Sequence, residues 1–113
     1  MTNPGGCEAE IGQGFESFGD LKRFVGDPGN GREWHHIVEQ SQIVKSGFSP
    51  EQVQNTNNII SVDGAAHDLI TAVYNSNVFG PGSGRVRDWL AGQSFDAQYE
   101  YGLQVLRNLG IIH

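Results

Sequence analysis

The sequence predicts one small α+β domain: mostly helical, with short strands and a helix directly behind the last of them. Three observations predict it. The run IISV at 59–62 is rich in β-branched residues, which suit a pleated strand. Directly after it, Asp63 stands where an N-cap belongs, ahead of GAAHDLITAVYNS with Ala66, Leu69, Ile70 and Val73 at helical spacing. Further capped helical stretches then run almost to the C terminus, and 113 residues suffice for one core but hardly for two.

Taken in order, residues 1–31 read as a glycine-rich N-terminal arm or linker. TNPGG, GQG and GDPGNG are turn chemistry, and between them FESFGDLKRFV offers Phe15, Phe18, Leu21, Phe24 and Val25 as one short packing segment. Residues 32–113 form the domain proper. WHHIVE at 34–39 reads as a first strand carrying two adjacent histidines. From Glu39 the pattern turns helical and runs to Gly47, a natural C′ residue. SPEQ at 49–52 is a strong helix start, with Ser49 as N-cap, Pro50 at the first helical position and Gln52 completing a capping box. After the strand at 59–62 and the helix capped by Asp63, FGPGSG at 79–84 makes a flexible joint. Val86, Trp89 and Leu90 then share one face of a short helix. Ser94 caps the last helix, where Phe95, Tyr99, Leu103 and Leu106 form a stripe and Gly110 closes it.

Composition narrows the function. Hydrophobic residues make up 37% and aromatics 10%, so the chain folds. No apolar run approaches a membrane span, and no secretory pattern opens the sequence, so export would need a larger carrier or a dedicated machine. The single cysteine, Cys7, makes neither an internal disulfide nor, alone, a zinc site. Any metal must therefore draw on histidine and oxygen. Thirteen acidic residues against seven basic ones give a net charge of −6, which argues against a nucleic-acid binder and suits a basic partner.

The unusual polar residues are His35 and His36, Asn57 and Asn58, and then His67. They fall on a first strand, at the start of a second, and in the first turn of the following helix. This order resembles the HNH, or ββα-metal, nucleases: a histidine pair, an asparagine, a helix histidine. REWHHIVEQSQ, NTNNIISV with its helix histidine, and VRDWLAGQSFDAQYEYGLQVL together look like the toxic C-terminal domains of Rhs and related bacterial polymorphic toxins, over roughly residues 32–110. The resemblance implies a ββα-metal finger, a two-stranded hairpin plus helix, within the helical domain. It also implies a metal-dependent endonuclease that hydrolyses DNA in a competing cell, acts in the target bacterial cytoplasm, is carried by a parent Rhs-type toxin, and is neutralised by a cognate immunity protein.

Phosphodiester hydrolysis needs an activated water and stabilisation of charge on the phosphate and the leaving oxygen. A divalent ion supplies the second and imidazole the first. Neighbouring strand residues point to opposite sides, so His35 and His36 divide the labour: His35 as metal ligand, His36 as general base, as the family roles also have it. His67 is the second ligand, and Asn58 either holds the His36 ring or ties the loop. Lys45, Arg85 and Arg87 are candidate phosphate contacts. Tyr74 reads as core, and Glu33 either bridges to a histidine or is a solvated charge.

The sequence also departs from the family pattern. Where colicin-type members carry another histidine one turn further along the helix, this chain has Thr71. Two histidines would share the ion with water, phosphate or Asn58, which suits magnesium better than a closed zinc cage, although either ion is open. Many HNH sequences place a proline just after the pair; here Glu39 follows instead, and a helix-capping role is favoured for it. Two competing readings keep the histidines: an RNase toxin, and a non-enzymatic, zinc-stabilised interaction module.

Overall fold

Side-chain caps start the helices at the places the sequence marks. The computed structural model describes residues 12–113, so TNPGG and Cys7 lie outside the described residues. In chain order the elements are α1 (Phe18–Val25), β1 (Arg32–His36), α2 (Gln42–Ser46), α3 (Pro50–Val53), a 3₁₀ turn at Thr56–Asn58, β2 (Ile59–Asp63), α4 (Gly64–Asn75), α5 (Val86–Leu90) and α6 (Phe95–Asn108). The fold is α+β, as expected. Ser17, Asp63 and Ser94 each accept a backbone N–H of the first turn behind them. Ser49 and Gln52 form the full reciprocal capping box at α3.

β1 and β2 pair antiparallel, with Trp34 opposite Ser61, His35 opposite Ile60 and His36 opposite Ile59. The chain between them makes the long excursion that holds α2 and α3, and α4 leaves β2 at once to pack across both strands. The core gathers Ile37 and Val62 from the strand layer, Ile70 and Tyr74 from α4, Val86 and Leu90 from α5, and Val105 and Leu106 from α6. A second, polar seam closes the far side. Buried Gln42 donates to the Arg87 carbonyl at 2.8 Å, Ser46 donates to Gln42 at 2.6 Å, and Gln98 donates to Ser46 at 2.9 Å, binding α2 to α5 and α6.

Several expectations shift by a few residues. The helix expected from Glu39 begins only at Gln42, because Ile37 still donates to the Asn58 carbonyl at 2.8 Å and Val38 to its side chain at 2.9 Å. The backbone cannot coil until that pairing ends. Asn57 and Asn58 sit in the 3₁₀ turn rather than in the strand, because Asn55 caps that turn through the Asn57 N–H. On α4, Leu69 is 56% exposed while Ile70 and Tyr74, one turn apart, face inward, so the helix is rotated from the expected face. Trp89 is half exposed, its edge against Tyr101 at 5.6 Å, while Val86 and Leu90 are buried. On α6 the buried line is Gln98, Gly102, Val105 and Leu106, so of the expected stripe Leu106 is buried while Phe95, Tyr99 and Leu103 lie outside that line.

The rotation of α6 has a steric cause. A Cβ on Gly102 would lie 2.5 Å from the Ile37 carbonyl oxygen and 2.8 Å from its Cγ2, so the helix crosses the end of β1 at a distance only glycine permits. The described part of the N-terminal arm is packed too. Thr56 donates to the Gln13 carbonyl at 3.0 Å, Leu21 is fully buried, and the Trp34 indole donates to the Gly26 carbonyl at 3.0 Å.

Gly102→Ala should therefore destabilise the domain by about 1–3 kcal/mol, although alanine favours an exposed helix. A urea midpoint equal to or above that of the wild type would show that α6 is free to move away from Ile37.

Candidate active site

The pleat of β1 sends its two histidines to different neighbours. Glu33 and His35 face α4, where the His35 ring stands edge-on to that of His67 at a centroid distance of 5.9 Å, and Glu33 Oε1 lies 3.7 Å from His67 Nδ1. His36 faces α1, its ring edge-on to Phe18 at 4.6 Å. Glu33, undecided from sequence, thus reaches a site histidine. Because these rings sit at the end of the strand, they still meet in space. His35, His36 and His67 border one cleft of about 360 Å³ together with Glu39, Gln40, Ser41, Ile70, Thr71 and Arg87. The three imidazoles that the sequence singles out converge.

Burial tunes two of them. His35 is lowered to about 4, chiefly because burial penalises its charged form and then because His67 and His36 stand near. His36 is lowered in the same way, with its hydrogen bond to Gln54 Oε1 opposing the burial and His67 adding to it. Both rings are neutral at neutral pH, the form a ligand or a base requires.

His35 Nε2 is buried without a hydrogen-bond partner, which is the state of a nitrogen left for an ion. Among the described residues no group of three His, Cys, Asp or Glu side chains could hold one. His35 and His67 together fit an ion that completes its shell with water and phosphate; they do not fit a closed zinc cage. Thr71, at the helix position that lacks a third histidine, lines the cleft and spends its hydroxyl on the His67 carbonyl at 3.0 Å.

Asn58 requires a correction. Of its two expected roles it takes the second, and it lines no part of the cleft. Completely buried, it accepts from the Val38 N–H at 2.9 Å and donates to the carbonyls of Val38 and Val53 at 3.0 and 2.9 Å. It clamps the backbone, and none of these hydrogen bonds goes to the His36 ring. The His36 ring is held instead by Gln54, whose Oε1 lies 2.8 Å from Nε2, and Gln54 in turn donates to Gln40 Oε1 at 2.8 Å. Sequence reasoning missed both glutamines, since nothing in QVQN or in VEQSQ distinguishes a buried amide from a solvated one.

The candidate cations are all engaged by acids, and only Arg87 of the three lines the cleft. Arg87 lines the cleft, but its guanidinium grips Glu39 through Nε at 2.9 Å and Nη2 at 2.7 Å, and it also donates to Asn75. Glu39 therefore pairs with an arginine rather than capping a helix; Ser41 precedes α2. Lys45 Nζ and Arg85 Nε both contact Asp88, at 2.8 and 2.9 Å, and outside the cleft lining. These two neighbours hold the Asp88 carboxyl down to about 2. The three bases do cluster where α2 meets α5, yet each is engaged by an acid, Lys45 and Arg85 sharing Asp88. Tyr74 is core, as expected, and burial raises its phenol.

No family model, curated protein or solved structure matches the chain.

Removing the Asn58 amide would strand the backbone groups of Val38 and Val53. Asn58→Ala should cost roughly 2–4 kcal/mol by chemical denaturation, and a loss below a tenth of that would contradict the clamp. His35 gives a pH dependence in the chelated chain. Its folded value lies below its unfolded one, so the unfolded state binds the proton first as pH falls. The contribution is whole above about 6.5 and is lost down to about 4, roughly 3 kcal/mol at full extent. The urea midpoint should fall across that window, and fall less steeply in His35→Leu; parallel curves for the two proteins would contradict the shift.

Proposed function

We propose that the chain is a metal-dependent endonuclease that hydrolyses phosphodiester bonds of DNA. The observation that carries this reading is the convergence of His35, His36 and His67 on one cleft from positions far apart in sequence, two of them held neutral by burial. His35 and His67 would hold the divalent ion, magnesium or zinc. Bound there, the ion would supply Lewis-acid stabilisation of the phosphate and the leaving oxygen. His36 takes a proton from the attacking water, whose oxygen bonds to phosphorus as the bond to the leaving oxygen breaks; solvent returns a proton to that oxygen. Arg87, fixed by Glu39 at the cleft wall, keeps N–H groups beyond those it spends on Glu39 and Asn75, and they can meet a phosphate oxygen.

The biological setting rests on the resemblance to Rhs-type toxin domains. On that reading the domain is delivered by a parent toxin into the cytoplasm of a competing bacterium, and a cognate immunity protein protects the producer. Among the described residues no helix is long and apolar enough to cross a membrane.

One observation favours a second reading. The net charge of −6, and the pairing of Lys45, Arg85 and Arg87 with acids, suit a non-enzymatic module stabilised by zinc and docked on a basic partner. Chelation of such a module lowers its melting temperature while the purified protein cuts neither DNA nor RNA.

The deciding measurement is plasmid and RNA digestion across magnesium, manganese, zinc and chelator, with His36→Ala beside the wild type. Plasmid cutting should require the ion and fall about 10²- to 10⁴-fold in the variant, with the circular dichroism spectrum unchanged. Equal cutting by the two proteins removes His36 as base, and cutting confined to RNA moves the substrate to the RNase alternative.

A further inference from the structure

We propose that Gln54, aligned by Gln40, is a positioning residue that dictates which nitrogen of His36 carries the proton. The inference rests on the general-base reading of His36. A side-chain amide has one donating and one accepting end. Gln54 spends its NH₂ on Gln40 Oε1 at 2.8 Å and so turns its oxygen toward His36 Nε2, also at 2.8 Å. An oxygen there can only accept, so Nε2 bears the hydrogen and Nδ1 keeps the lone pair. A base needs that lone pair, and the opposite tautomer would present a hydrogen at Nδ1 instead.

The surroundings keep this arrangement from drifting. Gln54 is buried, and its backbone is bonded on both sides, donating to the Pro50 carbonyl at 2.7 Å and accepting from Phe15 N–H at 2.8 Å. Phe18 stands edge-on to the imidazole and limits its rotation about the strand. Ring angle is thus set by α1 and ring tautomer by the amide chain. Turning the Gln54 amide over would point its NH₂ at Nε2 and force the proton onto Nδ1. Gln40 opposes that turn, since its oxygen accepts the Gln54 NH₂. Gln40 is exposed at the cleft wall, which makes it a mild place to perturb the chain without emptying the core.

The test reads the tautomer directly, by long-range ¹⁵N–¹H correlation of the imidazoles in the full chain, at about pH 8 where histidines are neutral. The wild type should show His36 as the Nε2–H form alone. Gln54→Glu, which still accepts, should keep that form. Gln54→Met should yield a mixture and lower kcat about 10- to 100-fold with KM unchanged. Gln40→Leu, a surface change that spares folding, should admit some Nδ1–H form. A pure Nε2–H signal persisting in both Gln54→Met and Gln40→Leu overturns the proposal and reduces Gln54 to a satisfied core amide. If the wild type shows the expected tautomer but cuts no nucleic acid with any ion, the general-base reading falls while the amide chain stands.

Discussion

The cleft depends on a single buried amide. Asn58 pairs with both backbone groups of Val38 and with the Val53 carbonyl, so it substitutes for a strand partner at the point where β1 runs out. Without it the chain after His36 would have unpaired polar groups in the core and no reason to turn where it does. With it, the end of α3 is drawn against the end of β1. That contact carries Gln54 to His36 and leaves Gln40 facing the cleft. The position of the catalytic candidate is thus decided by a residue that never reaches it.

A second constraint works from the opposite side. α6 can lie against the Ile37 carbonyl only because residue 102 has no side chain. Its approach covers the chain at Ile37, just beyond the end of β1. Burial then does the electrostatic work: the lowered value of His35 is caused first by desolvation and only second by neighbouring rings.

Local signals were legible in the sequence where a residue acts on its own backbone. The Ser49 box, the Asp63 cap, the Ser94 cap and the β-branched run of β2 all stand where the sequence puts them. The three histidines were legible because imidazoles in an apolar setting are unusual. Long-range pairing was not. That Glu39 meets Arg87, that Lys45 and Arg85 share Asp88, and that Gln54 reaches His36 depend on segments the excursion between the strands brings together. No periodicity encodes those meetings. Leu69 and most of the α6 stripe were misjudged because apolar spacing gives a face without fixing how it is turned; on α6 the close approach at Gly102 fixes it.

The acidic balance and the proposed chemistry meet in the pairing of the bases. A chain of net charge −6 has little attraction for a polyanion at long range. Its cations near the cleft are Arg87, locked to Glu39, and the Lys45–Arg85 pair sharing Asp88. Two acids among three bases leave that corner with one net positive charge, too little to bind a phosphate backbone by counterion release. The neutral imidazoles of His35 and His36 add none. Positive charge for a phosphate in this cleft would, on the proposed reading, come mainly from a bound ion, and two protein ligands would leave coordination positions for the phosphate to fill. On the proposed reading, ion and substrate bind together and each weakens without the other.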